Sequence, residues 1–463
     1  MAGPIAYLAI TIWPLIMFYL LKRHGFAKGV LFSLLGAYMF LPAGFSINFP
    51  GIPAFNKFSV TSMTLIAYIL LSGRDSGFRS LPRIYKLLII GFIISPFLTV
   101  LNNPNSFMHL PGLSYYDGLS ESVGQFLYIL PFMIGFKYFR SYQDQLDLFK
   151  YFAISAIIYA LLALYEIRMS PQLHNMVYGF FPHSWLQQVR SGGFRAIVFM
   201  GHGLLVALFL AIGLGFWAVI RKNKQRIFRF DNTVLLILVL IALIFMKSLA
   251  ALIFGLFLLI MITFMSTKKI HLASLLIAVL FVTYPITSAL KIFPHENIVD
   301  FAYSVNPERG QSLEYRFKHE GLLLEHASVK PLFGWGGYGR NRVRDPETGE
   351  DLSVTDGRWI LSLGVRGWFG FLMEFLLVVL PIYVAYKVQK KNKEMDKNER
   401  ALLAAHALIV SIILLDQMPN ASLNPLYILL VGSLLGRAFA IQAEENNKSA
   451  SDLEELSSQV PMR

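Results

Sequence analysis

What most constrains this chain is its succession of uninterrupted apolar runs. Segments such as "TVLLILVLIALIFM" (233–246) and "LLIAVLFVTYPI" (275–286) show no polar face at helical spacing. A bilayer core about 30 Å thick is crossed by roughly 20 helical residues, and inside it every backbone N–H and C=O must be satisfied within the span. With 55% hydrophobic residues among 463, the chain is expected to be all-α, a polytopic transmembrane helical bundle of about 12–13 spans. The spans fall near 5–21, 29–46, 58–72, 86–101, 122–138, 147–167, 196–220, 232–247, 249–266, 270–291, 359–386, 400–416 and 423–441. The first lacks the basic start and small-residue cleavage site of a signal peptide, so it reads as a retained span.

This pattern divides the chain into a bundle of ten spans (1–291), a large extracytoplasmic loop (292–358), the final spans (359–441) and a disordered cytoplasmic tail (442–463). The loop is expected to contain a helix over 313–329. No internal repeat is visible, which disfavours a transporter built from inverted halves.

The net charge of +13 sets topology rather than a nucleic-acid partner. Its lysines and arginines collect in alternate loops, such as "LKRHGFAK", "RKNKQRIFR" and "KVQKKNKEMDKNER", and the positive-inside rule assigns these to the cytoplasm. The chain has no cysteine, which removes disulfides, thiolate metal sites and cysteine nucleophiles. No His/Asp/Glu grouping has metal-ligand spacing and no G-x-S-x-G or P-loop occurs, so neither metal nor cofactor is expected.

Arginines on the other side run against this bias. Arg190 and Arg195 precede the seventh span; Arg309, Arg316, Arg340, Arg342, Arg344 and Arg358 lie in or beside the large loop. Guanidinium forks bind phosphate bidentately, and two such groups at a bundle mouth suit a pyrophosphate head group. Pairing with Glu314, Glu320, Asp345 and Glu347 is the plainer reading for any one of them. Arg195 and Arg316 stand out because each adjoins an apolar segment, where an idle charge is costly. Asp356, in "SVTDGRWILSLG", is placed either to accept a proton from a hydroxyl or to cap the helix that follows. His202 and His319 are the alternative bases. In "FGWGGYGRN", Trp335 and Tyr338 offer a stacking platform for sugar, and the glycines equally suit a structural turn.

Two stretches, "SLEYRFKHEGLLLEHASVKPLFGWGGYG" and "TDGRWILSLGVRGWFGFLME", together resemble the signature region of the O-antigen ligase and polysaccharide polymerase superfamily. "RSGGFRAIVFMGHGLLVALFLAIG" is similar to that family's arginine-bearing approach to a middle span, and "DQMPNASLNPLYILLVGSLLG" to its closing hairpin. The resemblance covers about 185–440. It implies a metal-independent glycosyltransferase of the bacterial inner membrane that uses an undecaprenyl-pyrophosphate-linked glycan on the periplasmic face. Arg190 or Arg195, with Arg316, match the positions expected to hold pyrophosphate. Asp356 stands where ligases carry a histidine and many polymerase-like members an aspartate, which leans toward polymerisation of O-antigen, capsule or exopolysaccharide repeats. The alternative within the class is a ligase that moves finished glycan to lipid A core or another acceptor. In "FMKSLAAL", Lys247 replaces the family's arginine and offers phosphate a point charge without the fork. His202, Arg340 and Arg358 complete the expected substrate contacts. The implied partners are the lipid-linked donor, a glycan or lipid acceptor and membrane lipid, with a chain-length regulator or flippase as an optional companion. A rival class, a transporter or flippase of lipid-linked sugars, would need ionisable groups deep in the spans, and Glu166 and Glu374 are the candidates.

Overall fold

A computed structural model of the protein describes residues 2–49, 52–190, 192–229, 231–392 and 394–458. The chain is 72% helical. In order it runs α1 (Pro4–Arg23), α2 (Phe26–Phe40), the hairpin β1 (Ile47–Phe49) and β2 (Ile52–Phe55), α3 (Ser59–Ser72), α4 (Arg83–Leu101), α5 (Tyr115–Tyr138) and α6 (Tyr142–Met169). Next come α7 (Leu173–Tyr178), the two-residue strands β3 (Val189–Arg190) and β4 (Gly193–Phe194), α8 (Gly203–Lys222), α9 (Asn232–Phe245), α10 (Leu249–Phe264) and α11 (Thr267–Ala289). The loop helices α12 (His295–Val305) and α13 (Pro307–Ser328) lead to α14 (Arg358–Lys391), α15 (Lys397–Asp416) and α16 (Pro425–Ser458).

Among the described residues, nine helices are long and apolar enough to cross a membrane; four shorter apolar helices, α2, α3, α9 and α10, fill the remaining expected positions. The protein is an all-α multi-pass bundle. Ends that alternation assigns to one side do meet. On the basic face Lys28 pairs with Asp147 at 2.8 Å, and Lys137 with Asp75 at 2.5 Å. On the long-loop face the Gly3 N–H donates to the Tyr178 carbonyl and the Arg358 N–H to the Asn420 carbonyl.

Local chemistry explains the boundaries. Ser114 and Ser141 open α5 and α6 with capping boxes closed by Asp117 and Asp144. Leu41 turns extended before Pro42 and ends α2 six residues short of expectation. The seventh span begins at Gly203 rather than 196, because the Ile197 and Val198 N–H groups are taken by Glu166 and His202 Nδ1 caps the helix through Leu204 N–H. The tail read as disordered instead prolongs α16 to Ser458; "AIQAEENNKSASDLEELSS" holds good helix formers and no proline or glycine. α5 and α16 cross closely through "GSLLG": Cβ atoms at Gly432 and Gly436 would lie 2.1 and 2.3 Å from the Phe132 and Phe136 carbonyl oxygens.

The helix that follows the large loop is broken. Gly367, at φ 63° and ψ −170°, separates a short first segment of α14 from its long second segment. The backbone groups this frees are taken up by residues 331–336. Trp368 and Phe369 N–H donate to the Pro331 and Leu332 carbonyls (2.8 and 3.1 Å), while Trp335 and Gly336 N–H donate to the Gly364 and Val365 carbonyls (both 2.9 Å). From α4, Thr99 Oγ1 reaches the Phe333 carbonyl at 2.6 Å, and from just beyond that helix Asn103 Nδ2 reaches the Gly334 carbonyl at 2.9 Å. The clasp needs glycine, since Gly334 has φ 70° and a Cβ there would sit 2.6 Å from the Arg366 nitrogen.

Gly334→Ala should therefore destabilise the protein by about 2 kcal/mol or more, from left-handed strain plus the clash. Gly337→Ala, with open space at its Cβ, should be neutral. Thermal unfolding midpoints in detergent check the contrast.

Candidate functional site

Three groupings on the long-loop face gather the residues picked out from sequence. The first joins Arg316, on α13, to Asp356, forty residues later, with Nε 3.5 Å from Oδ2. Both remain reachable, at 34% and 40% side-chain exposure. At 3.5 Å the contact is ionic rather than a tight hydrogen bond, so the carboxylate can still accept from another hydroxyl. Asp356 does not cap α14: Gly357 is the cap residue, and the Arg358 and Trp359 N–H groups donate to the Asn420 and Gln417 carbonyls (2.9 and 3.4 Å).

The turn between α15 and α16 holds this arrangement. It gives its Pro419 carbonyl to Arg316 Nη1 at 3.2 Å. Its own shape is fixed by Asp416, which accepts from Ser422 Oγ (2.5 Å) and Asn420 Nδ2 (2.8 Å), and by Gln417, which accepts from the Ser422 and Leu423 N–H groups. Asp416 is buried and within electrostatic reach of Arg316. Sequence reading passed over it, although a carboxylate abutting the polar turn "DQMPNASLN" is a signal of a built turn.

The second grouping is Arg195 with Lys247. Arg195 is buried and its guanidinium donates to the Met246 and Lys247 carbonyls (3.3 and 3.2 Å), so it closes the C-terminus of α9. Lys247 Nζ lies beside Gly193, and the His202 ring meets His183 edge to face at 4.7 Å. Arg190 has its backbone in β3, while its side chain lies outside the described part of the protein.

The third is the glycine-rich stretch. Arg340 is 2% exposed and donates to the Pro111 and Asn105 carbonyls at 2.8 and 3.1 Å, so its fork is occupied by backbone. Trp335 is likewise buried, stacked on His326 at 4.4 Å, with its indole N–H on the His326 carbonyl. Tyr338, in contrast, is 60% exposed. Arg342 pairs with Asp351, and Arg344 donates to the Gly349 carbonyl.

Arg358 turns inward to Glu374, its Nε and Nη2 at 2.9 and 2.8 Å from Oε1. Ser362 and Arg366 hold the other oxygen. The three charged groups thus tie the first segment of α14 to the second across the break. Glu166 is spent on the Leu173, Ile197 and Val198 N–H groups. Both mid-bundle carboxylates are therefore engaged in holding structure.

One turn beyond Arg316, Glu320 faces α11 instead of pairing with an arginine. It accepts from Tyr284 Oη at 2.5 Å and Ser288 Oγ at 3.2 Å, with His295 Nε2 3.8 Å away. Burial pushes its carboxyl up to about 7. His319, three residues from Arg316, lies against Tyr315 at 4.2 Å. No group of three or more His, Asp or Glu among the described residues is placed to hold a metal ion. No protein-family model matches the chain, and no curated protein matches it.

The raised Glu320 carboxyl makes the seating of α13 pH-dependent. Because the folded value lies above the ordinary one, this contribution is full below about 4.5 and fades as pH rises through about 7, amounting to on the order of 3 kcal/mol at most. His295, whose burial lowers its value, opposes this at the acid end. Glu320→Gln should abolish the loss of amide-exchange protection in α13 between pH 6 and pH 8; an unchanged pH profile would assign the effect elsewhere.

Proposed function

We propose that the protein is a glycosyltransferase that polymerises lipid-linked oligosaccharide repeats, for an O-antigen, capsule or exopolysaccharide, at the periplasmic face of a bacterial inner membrane. The observation that carries this reading is the Arg316–Asp356 pair. A cation and a reachable carboxylate, drawn from distant segments, meet on the long-loop face under the control of a rigid turn. The charge asymmetry of the loops supports the periplasmic side.

The donor is a sugar on undecaprenyl pyrophosphate, already a good leaving group. The acceptor hydroxyl attacks the anomeric carbon, the bond from that carbon to the pyrophosphate oxygen breaks, and the hydroxyl proton passes to Asp356. Arg316 binds the negative charge that develops on the departing pyrophosphate. The remaining demand is orientation, which the clasped α14 supplies. Arg340 and Trp335 act as its scaffold, and Arg195 with Lys247 shapes the neighbouring part of the same face. Engagement of Glu166 and Glu374 by structural partners favours this reading over transport, which needs a free ionisable pathway.

Arg316→Ala and Asp356→Ala should each lower polymer formation about a hundredfold, close to 3 kcal/mol, with protein still in the membrane. In a deletion strain complemented with either variant, surface and lipid-linked glycans separated by gel and mass spectrometry should show single repeats. Full-length polymer stranded on the carrier would indicate ligation instead, and wild-type product would remove that residue from the chemistry.

A further inference from the structure

The basic face, opposite the ion pair, holds a cavity of about 70 Å³ between the first turns of α6 and the loop from α8 to α9. A water molecule needs roughly 10–15 Å³ of such space, so the cavity takes several waters or one phosphate group with its oxygens. Gln143, Asp147 and Lys150 line it from α6, at the i, i+4, i+7 spacing that sets them on one side of the helix. Ile220 closes it from the end of α8, and Gln225 and Arg226 reach it from the loop. The loop backbone is pinned on both sides of Gln225: its N–H donates to the Ile220 carbonyl at 3.1 Å, and its carbonyl accepts from Asn232 Nδ2 at 2.6 Å.

The charge around this cavity is positive on balance. Asp147 is offset by Lys28 at 2.8 Å and accepts from Gln143 Nε2 at 3.1 Å. Asp231 caps α9 through the Thr233 N–H and lies within electrostatic reach of both Arg221 and Arg226, so it offsets one arginine and leaves the other. Lys150 is half-buried and Arg226 exposed, and among the described residues neither makes a hydrogen bond or a salt bridge. An ammonium and a guanidinium with open donors beside a phosphate-sized space suit an anionic oxygen cluster.

The course of α6 points to what carries that phosphate. The helix has 28 residues, about 42 Å at 1.5 Å per residue, against a hydrocarbon core about 30 Å thick. Its charged residues on this side, Asp144, Asp147 and Lys150, fall before Tyr151, and the next 15 residues are apolar apart from Ser155, so the cavity lies at headgroup level. Ile158, Leu161 and Tyr165 continue the Lys150 side of the helix and are all exposed. α9, which packs against α6, carries a second exposed stripe of Val234, Ile237, Ile241 and Ile244. A free phosphate would use the cavity alone, whereas a phospholipid uses the cavity and lays its acyl chains on the apolar surface beyond it. We propose that the cavity is a binding site for the phosphate group of an anionic phospholipid in the leaflet on the basic face. This inference is independent of the glycosyltransferase reading above.

Native mass spectrometry of the full chain, released from phosphatidylcholine nanodiscs with a minor share of phosphatidylglycerol, tests it. The wild type should retain phosphatidylglycerol in preference to phosphatidylcholine. The double variant Lys150→Gln, Arg226→Gln should reduce that retention about tenfold. Lys268→Gln with Lys269→Gln, which removes the same charge from the exposed start of α11, should leave it unchanged. Equal retention of the two lipids, retention untouched by the cavity variant, or an equal loss in the α11 control would overturn the site. Displacement of phosphatidylglycerol by millimolar inorganic phosphate at constant ionic strength would overturn the lipid assignment and mark the cavity as a site for free phosphate.

Discussion

A helix broken inside a membrane bundle must have its freed backbone groups satisfied by something other than lipid, and the clasp of residues 331–336 onto the break at Gly367 meets that demand. Four backbone hydrogen bonds and the side chains of Thr99, on α4, and Asn103, just beyond it, are committed to it. The break gives α14 a short first segment that can end at the surface while its second segment crosses the bundle. Asp356 and Arg358 sit where they do because that segment is pinned at both ends, by the clasp and by the α15–α16 turn.

Charge is handled by the same logic. Glu374 would be intolerable in the bundle alone, but with Arg358, Arg366 and Ser362 it becomes an internal strut; removal of one partner from such a group typically costs 3–5 kcal/mol. The strut engages Arg358 and Glu374, two of the ionisable side chains that the sequence offered for chemistry in this region. What it leaves reachable is the Arg316–Asp356 pair. Rigid support beneath a few uncommitted polar atoms is the usual architecture of a working site.

The bundle was legible because apolar length is a one-dimensional signal: each expected span has its helix, with the shifts at Leu41 and Gly203 traceable to a proline and to Glu166. Partners distant in sequence were not. Arg340 looked like a phosphate fork, yet its carbonyls come from residues 105 and 111, some 230 positions away, and no local pattern announces them. Glu320 invited pairing with an arginine and instead found Tyr284 and Ser288 on α11. Asp356 carried two local readings, and tertiary structure removes one of them, because the α15–α16 turn takes over the helix cap. The resemblance drew Arg316 and Asp356 to notice separately; only the fold joins them.

The most direct measurement is reconstitution. Purified protein in nanodiscs is given a lipid-linked single repeat from its own source, and products are followed by mass spectrometry. The account predicts lipid-linked dimers and longer chains, with release of undecaprenyl pyrophosphate in step with each new linkage. Single repeats left intact under conditions where the protein remains folded would contradict it.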